Sequence, residues 1–203
     1  MLRRCRGFSL VELMVAMVAG LLLVAAVSAL FASVVRANKT ALQVSRLNQE
    51  VQAITDMMAR DIQRAGYDSA SASAGFLTGT ASLFKFDSVA DLMSETATGS
   101  GLYRCIRLSY DDNDNGALDG NETYVYNYSS SDKGVRLGTS CTTGSLLSTD
   151  NTIEITNLTF SLLTGSVATG ARTIRIAIDG RDKSSPALTL SLQRDIKLRN
   201  DGY

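Results

Sequence analysis

The 203-residue chain has no histidine and no tryptophan, one proline and three cysteines. Histidine is the usual general base, the commonest metal ligand and the middle member of most hydrolytic triads, so its absence removes the ordinary routes to those chemistries. Asp, Glu, Ser and Lys remain, but no motif sets a nucleophile beside a base, and the chain reads as a protein that is not an enzyme. An excess of charge is missing too: Lys plus Arg and Asp plus Glu each number 20. That balance, with no basic aromatic cluster, argues against nucleic acid as a partner. The last absence is local. From Leu13 to Val35 there is not one charged side chain.

About 20 apolar residues cross the hydrocarbon core of a bilayer as a helix, so this run is long enough to span one. Arg3, Arg4 and Arg6 precede it and the next cation is Arg36. By the positive-inside tendency the basic end stays cytoplasmic and everything after Val35 is exported. A cleavable secretory signal, cut at Val27-Ser-Ala29, and a plain uncleaved anchor are two readings of the run. Both leave Glu12 unexplained, because an acid within such a run costs up to about 2.5–3.5 kcal/mol at a helix centre.

Beyond the run, Val44, Leu47, Val51, Ile54, Met57, Met58 and Ile62 recur at three- and four-residue spacing, while Arg46, Glu50, Asp56, Arg60 and Asp61 mostly take other faces. No proline interrupts the pattern. It predicts one helix from Phe8 to about Ala65, roughly 87 Å long at 1.5 Å per residue, with Gly66 as its stop. Ala16 and Gly20, then Ser28 and Ala32, are small pairs four apart that let helices approach closely, or ordinary composition.

Asp68 to Gly101 reads as a variable loop with apolar islands at Phe76–Thr78 and Ser82–Phe86 and one or two short strands. Period-two alternation follows in Tyr103–Tyr110, Thr123–Tyr128, Gly134–Leu137, Thr152–Leu162, Arg172–Ile178 and Ala187–Ile196. Six such segments predict an antiparallel sheet that takes the helix stripe on one face, an α+β architecture. The chain divides as 8–35, the membrane half of the helix, 36–66, its amphipathic half, and 67–203, a β-rich head.

Asp111-Asp-Asn-Asp-Asn-Gly-Ala-Leu-Asp-Gly-Asn-Glu122 fits the calcium-loop spacing D-x-N-x-N-G-x5-E. Asp111, Asn113 and Asn115 would supply side-chain oxygens, Ala117 its carbonyl, Asp119 a direct or water-mediated contact, and Glu122 a bidentate closure around Ca²⁺. The bland reading is a solvated Asn-Gly turn that needs no metal. Five acids crowd the loop, and their repulsion favours a cation.

Gly7-Phe-Ser-Leu-Val-Glu12 at the head of a long apolar helix resembles the class III signal of type IV prepilins and of the pseudopilins of type II secretion. The resemblance implies a basic leader at 1–7, cut after Gly7 by an inner-membrane prepilin peptidase that then methylates Phe8. It also gives Glu12 a role in assembly, neutralising the terminal amine of a neighbouring subunit's Phe in the filament core. Met58-Ala-Arg-Asp-Ile-Gln-Arg-Ala-Gly-Tyr67 and the close on Leu198-Arg-Asn200 resemble W-type minor pilins, and J-type pseudopilins share a similar plan. The implied protein is a structural minor pilin with a pilin-like fold that starts or caps a type IV pilus. It is first held in the inner membrane with a periplasmic head and then taken into the extracellular pilus.

The implied partners are other minor and major pilins, prepilin peptidase and the inner-membrane assembly platform, with a tip adhesin as a further candidate. A J-type pseudopilin and an adhesive tip module are the alternatives. Ala29 stands where major pilins often carry a proline, so the local helix melting seen with that proline is not carried over. In an exported head the compartment is oxidising, which predicts a Cys105–Cys141 disulfide. The chain-entropy model gives it roughly 4 kcal/mol. Cys5 would leave with the leader.

Overall fold

The computed structural model describes residues 7, 9–70, 83–149, 151–164 and 172–200. A single long helix, α1 (Leu10–Arg64), is followed by β1 (Leu92–Glu95), β2 (Tyr103–Ser109), β3 (Thr123–Ser129), β4 (Gly134–Gly138), β5 (Ser145–Leu146), β6 (Ile153–Thr164), β7 (Thr173–Asp182) and β8 (Thr189–Lys197). All the pairings are antiparallel, in the order β5-β4-β3-β2-β6-β7-β8, with β1 also on β2. One long helix packed on one antiparallel sheet is the α+β, pilin-like layout that the sequence implied. The chain forms two compact units, Met1–Val44 and Ser45–Tyr203, so the amphipathic part of α1 from Ser45 onward belongs with the sheet.

Local chemistry sets the ends of α1. The Leu13 N–H donates to the Ser9 carbonyl at 3.1 Å, and the Ser9 N–H donates to Glu12 Oε2 at 3.1 Å. Ser9 is therefore the N-cap and Glu12 the returning acid of a capping box. The other end stops at Gly66, whose φ of +84° is left-handed. There the Gly66 N–H donates to the Ser109 carbonyl at 3.0 Å, and Asn200 Nδ2 donates to the Arg64 carbonyl at 3.2 Å. Phe8, the expected first helical residue, lies outside the described residues.

All six alternating strands are present, β1 falls within Asp68–Gly101, where one or two short strands were expected, and β5 is additional. The four residues of β1 and the two of β5 are too short to show alternation, and Ser94 inside β1 has a left-handed φ of 58°. The island Phe76–Thr78 lies outside the described residues. Of Ser82–Phe86, residues 83–86 form no strand, yet Phe84 and Phe86 are buried at 1% and 3% exposure. Those two rings enter the interior by packing rather than pairing.

The core lies between α1 and the sheet. Along β7, buried and half-buried residues alternate strictly, which sets Ile174, Ile176, Ile178 and Gly180 on one face. Leu47, Val51, Ile54, Met58 and Ile62 of α1 share that core with Ile106, Leu108, Tyr126, Leu158 and Phe160. Two members of the expected stripe behave differently: Val44 is exposed and Met57 only half-buried. Asp61 corrects the reading more sharply, because it turns to the sheet. It is satisfied there by the hydroxyls of Tyr126 and of Tyr110, the latter at 3.4 Å. A buried carboxylate persists where donors meet it. Burial first, and then the bond to Asp61, push the Tyr126 phenol well above its usual range. Ion pairing of Asp56 with Arg194 of β8 and a bond from the Thr149 N–H to Glu50 brace the two flanks of the helix.

Gly180 lets α1 approach β7 closely. A Cβ there would lie 3.1 Å from Val51 Cγ2 and 3.3 Å from Leu47 Cδ1. Gly180→Leu should therefore lever α1 off β7 and cost about 1–3 kcal/mol, the usual range for overpacking. Chemical denaturation of a fragment beginning at Ser45 measures it, and an unchanged midpoint would contradict this packing.

Candidate functional site

The first candidate region is the start of α1. Gly7 is exposed, and a side chain built there would meet nothing within 4 Å. Glu12 is exposed, with the Ser9 N–H on its carboxylate. The apolar residues that follow are uncovered among the described residues: Leu10 is 74% exposed, Leu21 69% and Phe31 70%. Burying one such side chain fully is worth about 1.5–3 kcal/mol, so a face of this length calls for lipid or other helices around it. Ala16, Gly20, Ser28 and Ala32 are exposed on the same segment. Ser9, as the cap, is the residue that sequence reasoning left out, although Ser9-Leu-Val-Glu12 spells the capping box.

The second region is the acidic hairpin between β2 and β3. Asp111 Oδ2 accepts the Ser69 hydroxyl at 2.5 Å, the Ser69 N–H at 3.2 Å and the Gly116 N–H at 2.9 Å, while Oδ1 accepts the Asn115 N–H at 3.1 Å. Glu122 is fully buried, with the Asp112 N–H on Oε1 at 3.1 Å and the Asp119 N–H on Oε2 at 2.9 Å. Asp119 Oδ2 receives the side-chain amides of Asn113 and Asn115, each at 2.9 Å. The amide oxygens of Asn113 and Asn115 accept the N–H groups of Asn115 and Ala117, and Gly116 supplies the left-handed turn at φ 72°. Asp114 accepts the Tyr67 hydroxyl at 2.9 Å, and Asp112 faces Arg64 at 3.9 Å.

Every acid of the loop thus meets a protein donor. The donor chemistry is hard oxygen and suits calcium. The arrangement is a hydrogen-bonded turn, and among the described residues no three acidic or thiol side chains converge on one point. Ser69, 42 residues away in sequence, docks the loop onto the segment leaving α1. No pattern within the loop itself could have pointed to it.

Burial opposes the charge of Asp111, but the Ser69 hydroxyl and the N–H groups of Gly116, Ser69 and Asn115 outweigh it and hold the carboxyl below its usual range. A carboxyl with a depressed folded pKa adds stability that is complete above its unfolded value of about 3.9 and is lost as pH falls through the folded value. Asp111→Asn should therefore lower the unfolding midpoint most at neutral pH, with a deficit that shrinks as pH falls below about 3.9. A deficit of equal size across that range would contradict the assignment.

Cys105 of β2 and Cys141 of the β4–β5 loop are joined in a disulfide, with their Cα atoms 5.7 Å apart. Cys105 is flanked across the strands by Met93 of β1 and Asn127 of β3. Asn127 Nδ2 donates to the Cys141 carbonyl at 2.7 Å, which lays the loop across β3.

Comparison with known proteins adds two matches. Residues 2–28 match the prokaryotic N-terminal methylation motif. Residues 40–198, more than half of the chain, match the family model of prepilin peptidase-dependent protein B. The chain belongs to that family. No curated protein and no solved structure matches it. As a member of that family with the N-terminal methylation motif, it is a type IV prepilin-like protein of the structural pilin type. Its exposed apolar helix is long enough to anchor it in a membrane. Prepilin-type proteins typically associate with other pilins and are processed by prepilin peptidase.

Proposed function

We propose that this chain is a minor pilin of the W type that helps start or cap a type IV pilus. It enters the inner membrane with its head in the periplasm, is cut after Gly7 by prepilin peptidase, is methylated on Phe8 and is then taken into the filament. The observation that carries the reading is the division of labour along one helix: residues 10–42 are exposed and largely apolar, whereas residues 47–62 bury a stripe on the sheet. Glu12 serves assembly by pairing with the neighbouring subunit's terminal amine, which offsets the cost of leaving either charge alone in a low-dielectric core.

A J-type pseudopilin of type II secretion would need the same helix and the same head. Affinity purification of the tagged chain from intact cells separates the two: recovery with sheared pilus fibres supports the minor pilin, and recovery with a secretin-linked secretion complex instead would replace it. An adhesive tip module would require, in addition, a ligand-dependent loss of attachment when the head alone is altered.

The acidic hairpin is proposed as a calcium clip on the strength of its donor set, Asp111, Asn113, Asn115, Ala117, Asp119 and Glu122. Binding must exchange the two amide donors now on Asp119 for the cation. Calorimetric titration of the head with Ca²⁺ should release heat that Asp119→Ala abolishes, and no heat at millimolar ion would dispose of the site.

A further inference from the structure

Beyond the assembly segment, α1 carries a run of cations without an acid. Between Glu12 and Glu50 there is no Asp or Glu, and the cations are Arg36, Lys39 and Arg46. All three are exposed, and no carboxylate among the described residues pairs with them. Arg36 follows directly on Val35, the last residue of the apolar run, and Lys39 lies three further on, close to the same face of the helix. At 1.5 Å per residue they stand about 1.5 and 6 Å beyond the end of the run. The polar layer of a bilayer is about 5–7 Å deep on each side, so both cations fall in the plane of the headgroups. Arg46 is about 16 Å beyond the run and lies outside that layer.

We propose that Arg36 and Lys39 form a headgroup site for anionic phospholipid on the exported side of the membrane. The proposal rests on the membrane reading given above. A guanidinium can grip a phosphodiester through two parallel hydrogen bonds and an ammonium acts beside it as a point charge, so the pair suits a lipid phosphate. Removal of residues 1–7 would take away Arg3, Arg4 and Arg6 on the opposite side. Arg36 and Lys39 would then be the cations that fix the depth of the processed helix in the bilayer until it leaves for the filament.

The test reconstitutes the full chain in vesicles with spin-labelled phosphatidylglycerol or phosphatidylcholine and reads the preference for the anionic lipid from the motionally restricted signal. The arginines of the leader contribute equally to every variant, so differences between variants report the exported side. R36Q/K39Q should lower the preference by up to about five-fold per cation removed, and R46Q should leave it unchanged. Equal preference in the double variant, or an equal fall in R46Q, would overturn the site. Loss of the preference on adding inorganic phosphate at matched ionic strength would make it a free-anion site instead. A carbodiimide crosslink from Lys39 to a carboxylate of a second chain in the vesicles would assign the cations to a protein neighbour. Failure of the chain to float with vesicles at all would remove the membrane reading itself, a result distinct from the others.

Discussion

Glu12→Val should leave cleavage after Gly7 intact and take the chain out of filaments. In the proposed assembly the Glu12 carboxylate meets the terminal amine of a neighbour inside a core of packed apolar helices. Removing one member of such a buried pair costs about 3–5 kcal/mol, because the remaining charge loses its partner while still desolvated. That is more than a hundred-fold in an incorporation equilibrium. The structure adds a second duty for the same side chain, the capping bond from the Ser9 N–H. Glu12→Gln separates the two, since the amide oxygen can still accept the Ser9 N–H but carries no charge. A charge role predicts that Gln fails like Val, whereas a capping role alone predicts that Gln assembles normally. Quantifying each variant in sheared pili against the membrane pool decides between them, and wild-type piliation by Glu12→Val would end the assembly role.

The largest expected change in stability comes from opening the Cys105–Cys141 disulfide. Its sequence separation of 36 gives roughly 4 kcal/mol in the chain-entropy model. The loop carrying Cys141 also covers β3 through the bond from Asn127 to the Cys141 carbonyl, and Cys105, Val125 and Asn127 are now buried at 1%, 1% and 5% exposure. For a unit of this size, Cys105→Ala with Cys141→Ala should lower the melting temperature by about 10 °C. A dithiol reductant acting on the unaltered head should give a similar shift, and coincident melting of oxidised and reduced protein would show that the bridge adds nothing. A fragment beginning at Ser45 suits this measurement because it lacks Cys5.

The legible parts of the fold were those with a long period. Helix spacing from Leu47 to Ile62 and period-two patterning in β2, β3, β6, β7 and β8, strict in β7, express themselves over enough residues to be read, and Gly66 and the cysteine pair are signals of the same clarity. What could not be read depends on contacts far apart in sequence. Asp61 looked like a solvent-facing acid because the Tyr110 and Tyr126 hydroxyls that satisfy it come from the sheet. Asp111 was legible as an oxygen donor, but its docking on Ser69 was not, because only the fold brings the two together. β5 exists because a longer neighbour, β4, offers it an edge. The N-terminal methylation motif was legible, since it lies in contiguous residues, and the capping role of Ser9 was written in the same stretch.

In the proposed assembly, one helix serves first as a membrane anchor and then as a filament strut, and processing after Gly7 is the step between the two. Intact-mass and N-terminal peptide mass spectrometry of the chain purified from the cells that make it tests this directly. The expected mature chain begins at Phe8 and carries one methyl group. A mature chain beginning at Leu30, as a secretory signal cut after Ala29 would leave, would contradict it.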